Sequence, residues 1–478
     1  MREGYVPKEQ RKNILLLCDD IRLPSGVGNV GKETILSTLH QFNWINLGAG
    51  VDHPEKGKIL DISQDLAKVT GVEDAFCHVV PNSGYGDPNI LRQLISRYNI
   101  DALFLITDPR QFTWLFSMEN EIRKTMPIAY LNIWDDYPAP MYNKAFYESC
   151  DLLMGISKQT VNINKIVLGE KAKDKIIRYV PHGINENTYF PIDENHPEFK
   201  EFSNFKNQVL GGEESSFTLF FNSRNIRRKQ IPDTLLAWKY FLEKLKPENR
   251  DNVNFILHTE LVSQHGTDLL AVKNYLFGRD YKGIKFSTNR LPTKHLNYLY
   301  NMADTQILLT SNEGWGLSLT EALLTATPII ANVTGGMQDQ MRFHDRGEWI
   351  DFDENFPSNH TGKFKEKGSW AFPVYPTNRS LQGSPATPYI WDDRCSPEDA
   401  AQQIFKAYCV NDGSLKKRGI EGREWAMSDE AGFTSEKMGL RIIESLNSMF
   451  DNFKPRRKFE FINVTELEEE TLSHPLIY

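Results

Sequence analysis

Residues 311–340, SNEGWGLSLTEALLTATPIIANVTGGMQDQ, hold the densest chemistry in the chain. An apolar run, TQILLT, precedes Ser311, and a second, PIIAN, lies within the stretch. A buried strand therefore ends in a glycine-containing loop, Glu313-Gly314-Trp315-Gly316, and a helix starts near Leu317. Unpaired N–H groups at such a start point outward and, with the helix dipole, favour an anion. Gly314 and Gly316 let a ligand approach the backbone closely. Glu313 stands on the loop and Glu321 about one turn into the helix, so both can line the strand carboxyl ends, where open α/β sheets bind ligands. A carboxylate accepts both hydroxyls of a vicinal diol, as on a sugar or ribose edge. An ordinary strand–turn–helix connection with two solvated glutamates is the plainer reading of the same residues.

Four other strand ends carry polar groups. In residues 217–229, FTLFFNSRNIRRK, a strand runs into Arg224, and Lys229 follows after four intervening residues. A guanidinium fork and an ammonium point charge at a strand end form a diphosphate clamp. Arg227 and Arg228 read as solvated loop charges. Residues 134–138, WDDYP, follow the strand IAYLNI. There Asp135 and Asp136 can meet hydroxyl groups, cap the next helix or hold a metal, although no third ligand of matching spacing is evident. Residues 25–33, SGVGNVGKE, imitate a Walker A loop, and LFLITD, ending at Asp108, imitates a Walker B strand. Glu33 stands where the Mg²⁺-ligating Ser or Thr is required and would repel phosphate, which argues against a P-loop. In residues 180–191, VPHGINENTYFP, His182 reads first as a hydrogen-bonded structural residue and second as a cleft residue.

Together these residues resemble the signature of retaining glycosyltransferase family 4, of the GT-B fold. The resemblance rests on the E-x7-E form EGWGLSLTEALLTATPII, on Arg224 with Lys229, and on the PHG segment. It implies that Glu313 contacts the donor sugar, that Glu321 holds the nucleotide ribose, and that the amides of Gly314, Trp315, Gly316 and Leu317 meet the diphosphate. Gly26 and Gly28 then border the cleft beneath the donor. Many members carry a His-Asp-like pair where this chain has Trp134-Asp135. That departure leaves Asp135 or Asp136 to contact the sugar, or Trp134 to offer an apolar platform; with His182 these form the acceptor side.

The implied reaction moves a sugar from a nucleotide-sugar to a hydroxyl, retaining the anomeric configuration, with no metal and no cofactor. Arg224, Lys229 and the helix amides stabilise the departing diphosphate, and the leaving phosphate accepts the acceptor's proton. A UDP-sugar is the default donor. The acceptor is open among a glycan, a lipid-linked glycan, a small metabolite, a protein and modified nucleic acid. A phosphorylase-like or epimerase-like GT-B enzyme and a non-catalytic nucleotide-sugar-binding protein are the alternatives; no convincing pyridoxal-binding lysine is evident.

The elements that must position these groups follow from alternation. Apolar runs at residues 13–18, 101–107, 128–133 and 152–156 read as buried strands, with helical spacing at 89–98 and 109–124 between them. A second set, at 217–222, 253–258, 284–287, 305–310 and 328–332, alternates with helical patterns at 233–244 and 293–302. Alternation of this kind predicts βαβ units and parallel sheets. The expectation is an α/β, GT-B architecture of two Rossmann-like domains facing a cleft: 1–190 on the acceptor side, 191–430 on the donor side with an insertion at 344–394, and 431–478 as a crossover helix and tail.

Composition sets the outer limits. A chain of 478 residues exceeds one ordinary core, and 40% apolar residues exclude global disorder. With 55 Lys+Arg against 63 Asp+Glu, the net charge of −8 excludes a general basic coat. A basic tail cluster (Lys454, Arg456, Arg457, Lys458) leaves nucleic acid as a minor possibility; an acidic run (Glu466, Glu468, Glu469, Glu470) follows it. Cys18, Cys77, Cys150, Cys395 and Cys409 form no CxxC pair. Residues 1–13 lack an apolar signal-peptide core, so a reducing cytoplasm is the expected compartment.

Overall fold

The computed structural model describes residues 4–212, 215–410 and 413–456. Its first half is built on β1 (Lys12–Asp19), β2 (Phe42–Ala49), β3 (Leu60–Asp61), β4 (Cys77–Pro81), β5 (Ala102–Ile106), β6 (Ile128–Asn132), β7 (Leu152–Gly155) and β8 (Ile176–Tyr179). They lie in the order β3-β4-β2-β1-β5-β6-β7-β8, parallel except for β3. Helices cover both faces, which is why β1, β5 and β6 are apolar almost throughout. β2, FNWINLGA, interrupts its apolar run with Asn43 and Asn46 yet is buried at every position. Its carboxamides find tertiary partners: Asn43 Nδ2 donates to Asn13 Oδ1 at 3.0 Å, and Asn46 Oδ1 accepts from the Ile21 amide at 3.2 Å.

The second half holds β9 (Phe217–Asn222), β10 (Val253–His258), β11 (Ile284–Ser287), β12 (Thr305–Leu308) and β13 (Ile329–Asn332). A short antiparallel pair follows, β14 (His344–Asp345) and β15 (Glu348–Trp349), and then β16 (Ala371–Val374). The sheet order is β11-β10-β9-β12-β13-β16, with every pair parallel. The chain reverses its winding between β1 and β5 in the first sheet and between β9 and β12 in the second. Such switch points open a crevice at the strand carboxyl ends. The helix Ser435–Asn452 crosses back onto the first half, where Ser435 Oγ donates to Glu33 Oε2 at 2.7 Å. A Cβ added at Gly439 would lie 2.5 Å from Ser37 Cβ, so the two helices meet almost backbone to backbone.

The expected insertion at 344–394 divides in two. β16 is an integral strand of the second sheet, not a loop. Beyond it β17 (Asn378–Ser384) and β18 (Thr387–Arg394) form a separate antiparallel hairpin. The polar segment after residue 185 contains the helix Phe199–Leu210, and the helix expected at 109–124 is three short turns. Among the described residues no helix is long and apolar enough to cross a membrane. Lys454 and Arg456 are exposed, and Arg456 donates its amide to the Arg123 carbonyl at 2.8 Å. Arg457, Lys458 and the acidic run lie outside the described residues.

Candidate active site

The loops after β9 and β12 flank the switch point of the second sheet. After β9, residues Arg227–Lys229 make one 3-10 turn before the helix Ile231–Lys244. After β12, Gly316 takes φ +90° and the helix Leu317–Leu324 begins with no side-chain cap. The Leu319 amide donates to the Gly316 carbonyl at 2.9 Å, and with no side chain capping the Leu317 and Ser318 amides the start suits an anion.

Glu313 sits between the two loops. Its Oε2 accepts from Arg228 Nη1 at 2.7 Å and from the Lys229 ammonium. Burial alone would raise its pKa, but the Arg228 and Lys229 charges outweigh burial and hold it at about 2. Burial lowers the Lys229 ammonium despite its carboxylate partner. Arg228, expected to be a solvated loop charge, is thus the second cation on Glu313. Arg224, expected to clamp a diphosphate together with Lys229, is exposed. Spacing alone does not single out Arg228, since Arg227 shares its turn yet is exposed.

Glu321 lies one helical turn on. Its Oε2 accepts from Tyr300 Oη at 2.5 Å and from Asn222 Nδ2 at 3.3 Å. Burial pushes its carboxyl up to about 7, against the three hydrogen bonds from Tyr300, Tyr189 and Asn222. The Trp315 ring is buried, donates Nε1–H to Thr320 Oγ1 at 2.9 Å, and meets Phe433 and His182 edge-on. Only its backbone amide is left for a ligand, because its carbonyl accepts from Gln340 Nε2 at 2.7 Å.

The first half contributes the loop after β6. Asp135 Oδ1 accepts from the Gly314 amide at 3.1 Å, joining the halves at the site. Burial raises its carboxyl, Arg228 pulls it back down, and Glu313 raises it again. Glycine is required at this seam. A Cβ on Gly314 would lie 2.7 Å from the Ile133 carbonyl oxygen, and one on Gly335, at φ +54°, would lie 1.9 Å from the Glu313 carbonyl oxygen.

Two expectations for this loop are corrected. Trp134 is no sugar platform: it is 8% exposed, its Nε1–H donates to the Asp136 carbonyl at 2.7 Å, and the Arg110 guanidinium covers it at 5.5 Å. Asp136 neither caps a helix nor faces the cleft. It is fully buried and accepts from Gln159 Nε2 at 2.8 Å. Burial, reinforced by the neighbouring Asp393, raises its carboxyl well above the ordinary carboxylate range. The Thr334 hydroxyl stands between the two carboxyls as donor, 3.2 Å from Asp136 Oδ2 and 2.9 Å from Asp393 Oδ2.

Asp393 belongs to the hairpin, which straps the two halves. Toward the first half, the Trp391 amide donates to the Tyr137 carbonyl at 2.8 Å and Arg110 Nη2 donates to Thr387 Oγ1 at 3.2 Å. Toward the second, the Asp393 amide donates to the Ser311 carbonyl at 2.8 Å and Asn312 Nδ2 to Asp392 Oδ1 at 2.9 Å. A further tie is Asp339, whose Oδ2 accepts from the Lys158 amide at 2.9 Å and Tyr179 Oη at 3.0 Å. Its carboxyl is pushed up to about 7 by burial.

His182 is 5% exposed, and its Nδ1 has no hydrogen-bond partner. Burial lowers its pKa to about 4, with Glu313 opposing, so the ring is neutral near pH 7. Gly28 donates its amide to the Ser25 Oγ cap at 2.9 Å, while a Cβ on Gly26 would meet open space. Of the two, Gly26 has room for a neighbour. Among the described residues no group of three His, Cys, Asp or Glu side chains gathers as a metal site.

Two parallel sheets with their switch points opposed, and a last helix returning to the first half, define the GT-B fold. Residues 202–356 match the family model described as glycosyl transferases group 1. No curated protein matches the chain significantly. Among solved structures, a glycosyltransferase from Rickettsia africae is similar at TM-score 0.61 and 16% identity, over 93% of this chain and 100% of that one. Anabaena HepE in complex with UDP and glucose is similar at TM-score 0.62 and 14% identity, over 92% and 100%. Sucrose-phosphate synthase from Thermosynechococcus elongatus reaches TM-score 0.64 at 13% identity, over 92% and 100%.

Proposed function

We propose that the chain is a retaining glycosyltransferase of the family 4 type, moving a sugar from a nucleotide-sugar to a hydroxyl acceptor. One observation carries the reading: Glu313, Arg228 and Lys229 meet beside an uncapped helix start at the switch point of the second sheet. In this reading a donor diphosphate takes over the cations and helix amides, as P–O⁻ replaces carboxylate on Lys229 and Arg228. Glu313, released from them, accepts sugar hydroxyls, and Glu321 accepts the ribose diol. Asp135 and His182 supply polar contact from the first half, in place of the histidine that Trp134 displaces. Exposed Arg224 reaches the diphosphate only once donor is present. Residues 1–190 then serve the acceptor, 191–430 the donor, and 431–478 the crossover. HepE, similar in fold, was solved with UDP, so a UDP-sugar is the first donor to try.

The leaving phosphate takes the acceptor proton, so no second carboxylate is needed as nucleophile, and cations already supply the charge a metal would bring. The test is incubation of purified protein with a UDP-sugar panel and hydroxyl acceptors in excess EDTA, with UDP release measured and the new linkage assigned by proton NMR. Retained configuration with full activity in EDTA is expected; an inverted linkage overturns the family reading. The burial of Trp134 favours one second reading, a non-catalytic nucleotide-sugar binder. It predicts UDP-sugar binding with neither transfer nor donor hydrolysis.

A further inference from the structure

The second half carries a cavity of about 530 Å³ outside the cleft, between the edge strand β16, the helix Pro397–Cys409 and the helix Ser414–Met427. It shares no lining residue with the Glu313 site. Three cations line it, Lys367, Lys406 and Arg418, and none of its lining residues is acidic. Two of the cations share one ring: the Arg418 guanidinium lies 5.9 Å and the Lys367 ammonium 6.0 Å from the centre of Phe372. Tyr375 and Gln402 complete the wall. The nearby acids that have partners are held elsewhere: Glu366 pairs with His344, and Glu421 accepts from Ser369 Oγ. Burial, reinforced by Arg418 and Lys406, lowers the Lys367 ammonium to about 8. Like charges gathered over apolar walls with no acidic group among the lining residues described repel one another, and an anion entering among them relieves that repulsion.

We propose that this cavity is a second ligand site, separate from the cleft, that binds a small soluble anion carrying two or more phosphate groups. The cavity volume is in the range of small-molecule sites, on the order of 300–1,000 Å³. Arg418 offers a bidentate fork, Lys367 and Lys406 offer mobile point charges, and the three together neutralise a diphosphate. The site also has mechanical reach. Two residues past Tyr375, the Thr377 amide donates to the Arg394 carbonyl at 2.9 Å, closing the base of the hairpin that straps the cleft. An anion on this wall thus braces the root of that strap.

Cys409 lines the cavity and is exposed, whereas Cys18, Cys77 and Cys150 are buried. Its alkylation by neutral iodoacetamide, read by peptide mass spectrometry, therefore reports occupancy. The probe is inorganic pyrophosphate titrated into the full chain, with anionic phospholipid vesicles in a parallel arm. Saturable protection of Cys409 by pyrophosphate is expected. Arg418→Ala and, separately, the exposed Lys406→Ala should each shift the half-point roughly tenfold or more, while Lys229→Met in the cleft leaves it unchanged. No protection, protection unaffected by either cavity variant, loss of protection with Lys229→Met, or protection by vesicles alone would each overturn the proposal. The Lys229→Met arm reads the cleft separately, so failure here leaves the glycosyltransferase reading to its own test.

Discussion

Replacing Glu313 with Gln tests the arrangement on which the site reading stands. The Glu313, Lys229 and Arg228 side chains are 13%, 9% and 30% exposed, so solvent screens the cluster only partly. Depression of the Glu313 carboxyl from 4.5 to about 2 corresponds to roughly 3 kcal/mol of net attraction. Breaking a buried pair by removing one partner costs a similar amount, about 3–5 kcal/mol, because the other charge stays behind. Here two cations stay behind, so a loss of about 3 kcal/mol is expected at pH 7. The drop in midpoint in a thermal unfolding scan should be roughly 3 °C for a chain of 478 residues unfolding as one unit. Because the folded carboxyl is depressed, this contribution is present above about pH 4.5 and is lost only as the pH falls toward 2. Glu313→Gln should therefore flatten the acid limb of the stability profile. Adding Lys229→Met should restore part of the loss, since the double variant removes a like charge along with its partner. If Glu313→Gln stays within about 0.5 kcal/mol of the parent, or the two changes are simply additive, the carboxylate is not the counter-ion of this cluster.

Other outcomes follow from the same geometry. Glu321 is raised from 4.5 to about 7, so its contribution is present at low pH and is lost as the pH rises through 7. Glu321→Gln should remove about 2–3 kcal/mol of that alkaline loss, seen in urea unfolding at pH 5 and pH 8; an unchanged pH slope would contradict the buried placement. Arg224→Ala should leave unfolding within about 0.5 kcal/mol of the parent, its side chain being exposed. The same variant should weaken UDP binding in calorimetry, and wild-type affinity would remove Arg224 from the donor site. Trp391→Ala cuts the strap where it packs on the first half's core. It should cost about 2 kcal/mol and pull apart the unfolding of the two halves in calorimetry; an unaltered single transition would show that the strap does not couple them.

Much of the framework was legible from local pattern alone. β9 and β10 fall on the residues that the mainly apolar runs mark, because strands buried at nearly every position are mainly apolar; β11, IKFS, is also found at the marked residues although only Ile284 is buried. β2 was missed because its asparagines break that run, and they are tolerated only through partners 25 to 30 residues away in the chain. The polar placement of Glu313, Glu321, Lys229 and Asp135 was also readable, since each stands at a strand end or the helix start that follows it.

Tertiary structure decided what those residues touch. The choice of Arg228 over Arg224 as partner of Glu313 depends on how a single 3-10 turn aims neighbouring side chains, which spacing does not encode. Trp134 and Asp136 adjoin Asp135, yet packing withdraws both from the cleft and leaves Asp135 to meet Gly314. The hairpin read as an anomalous loop because its strands are largely solvent-facing and pair only with each other. Its role as a strap rests on hydrogen bonds to residues more than 60 positions away, as from Trp391 to Tyr137 and from Asp393 to Ser311. Sequence determines which local shapes are affordable; the partners of a buried charge are set by whichever distant segments the fold brings against it, because desolvation makes the unpaired state costly.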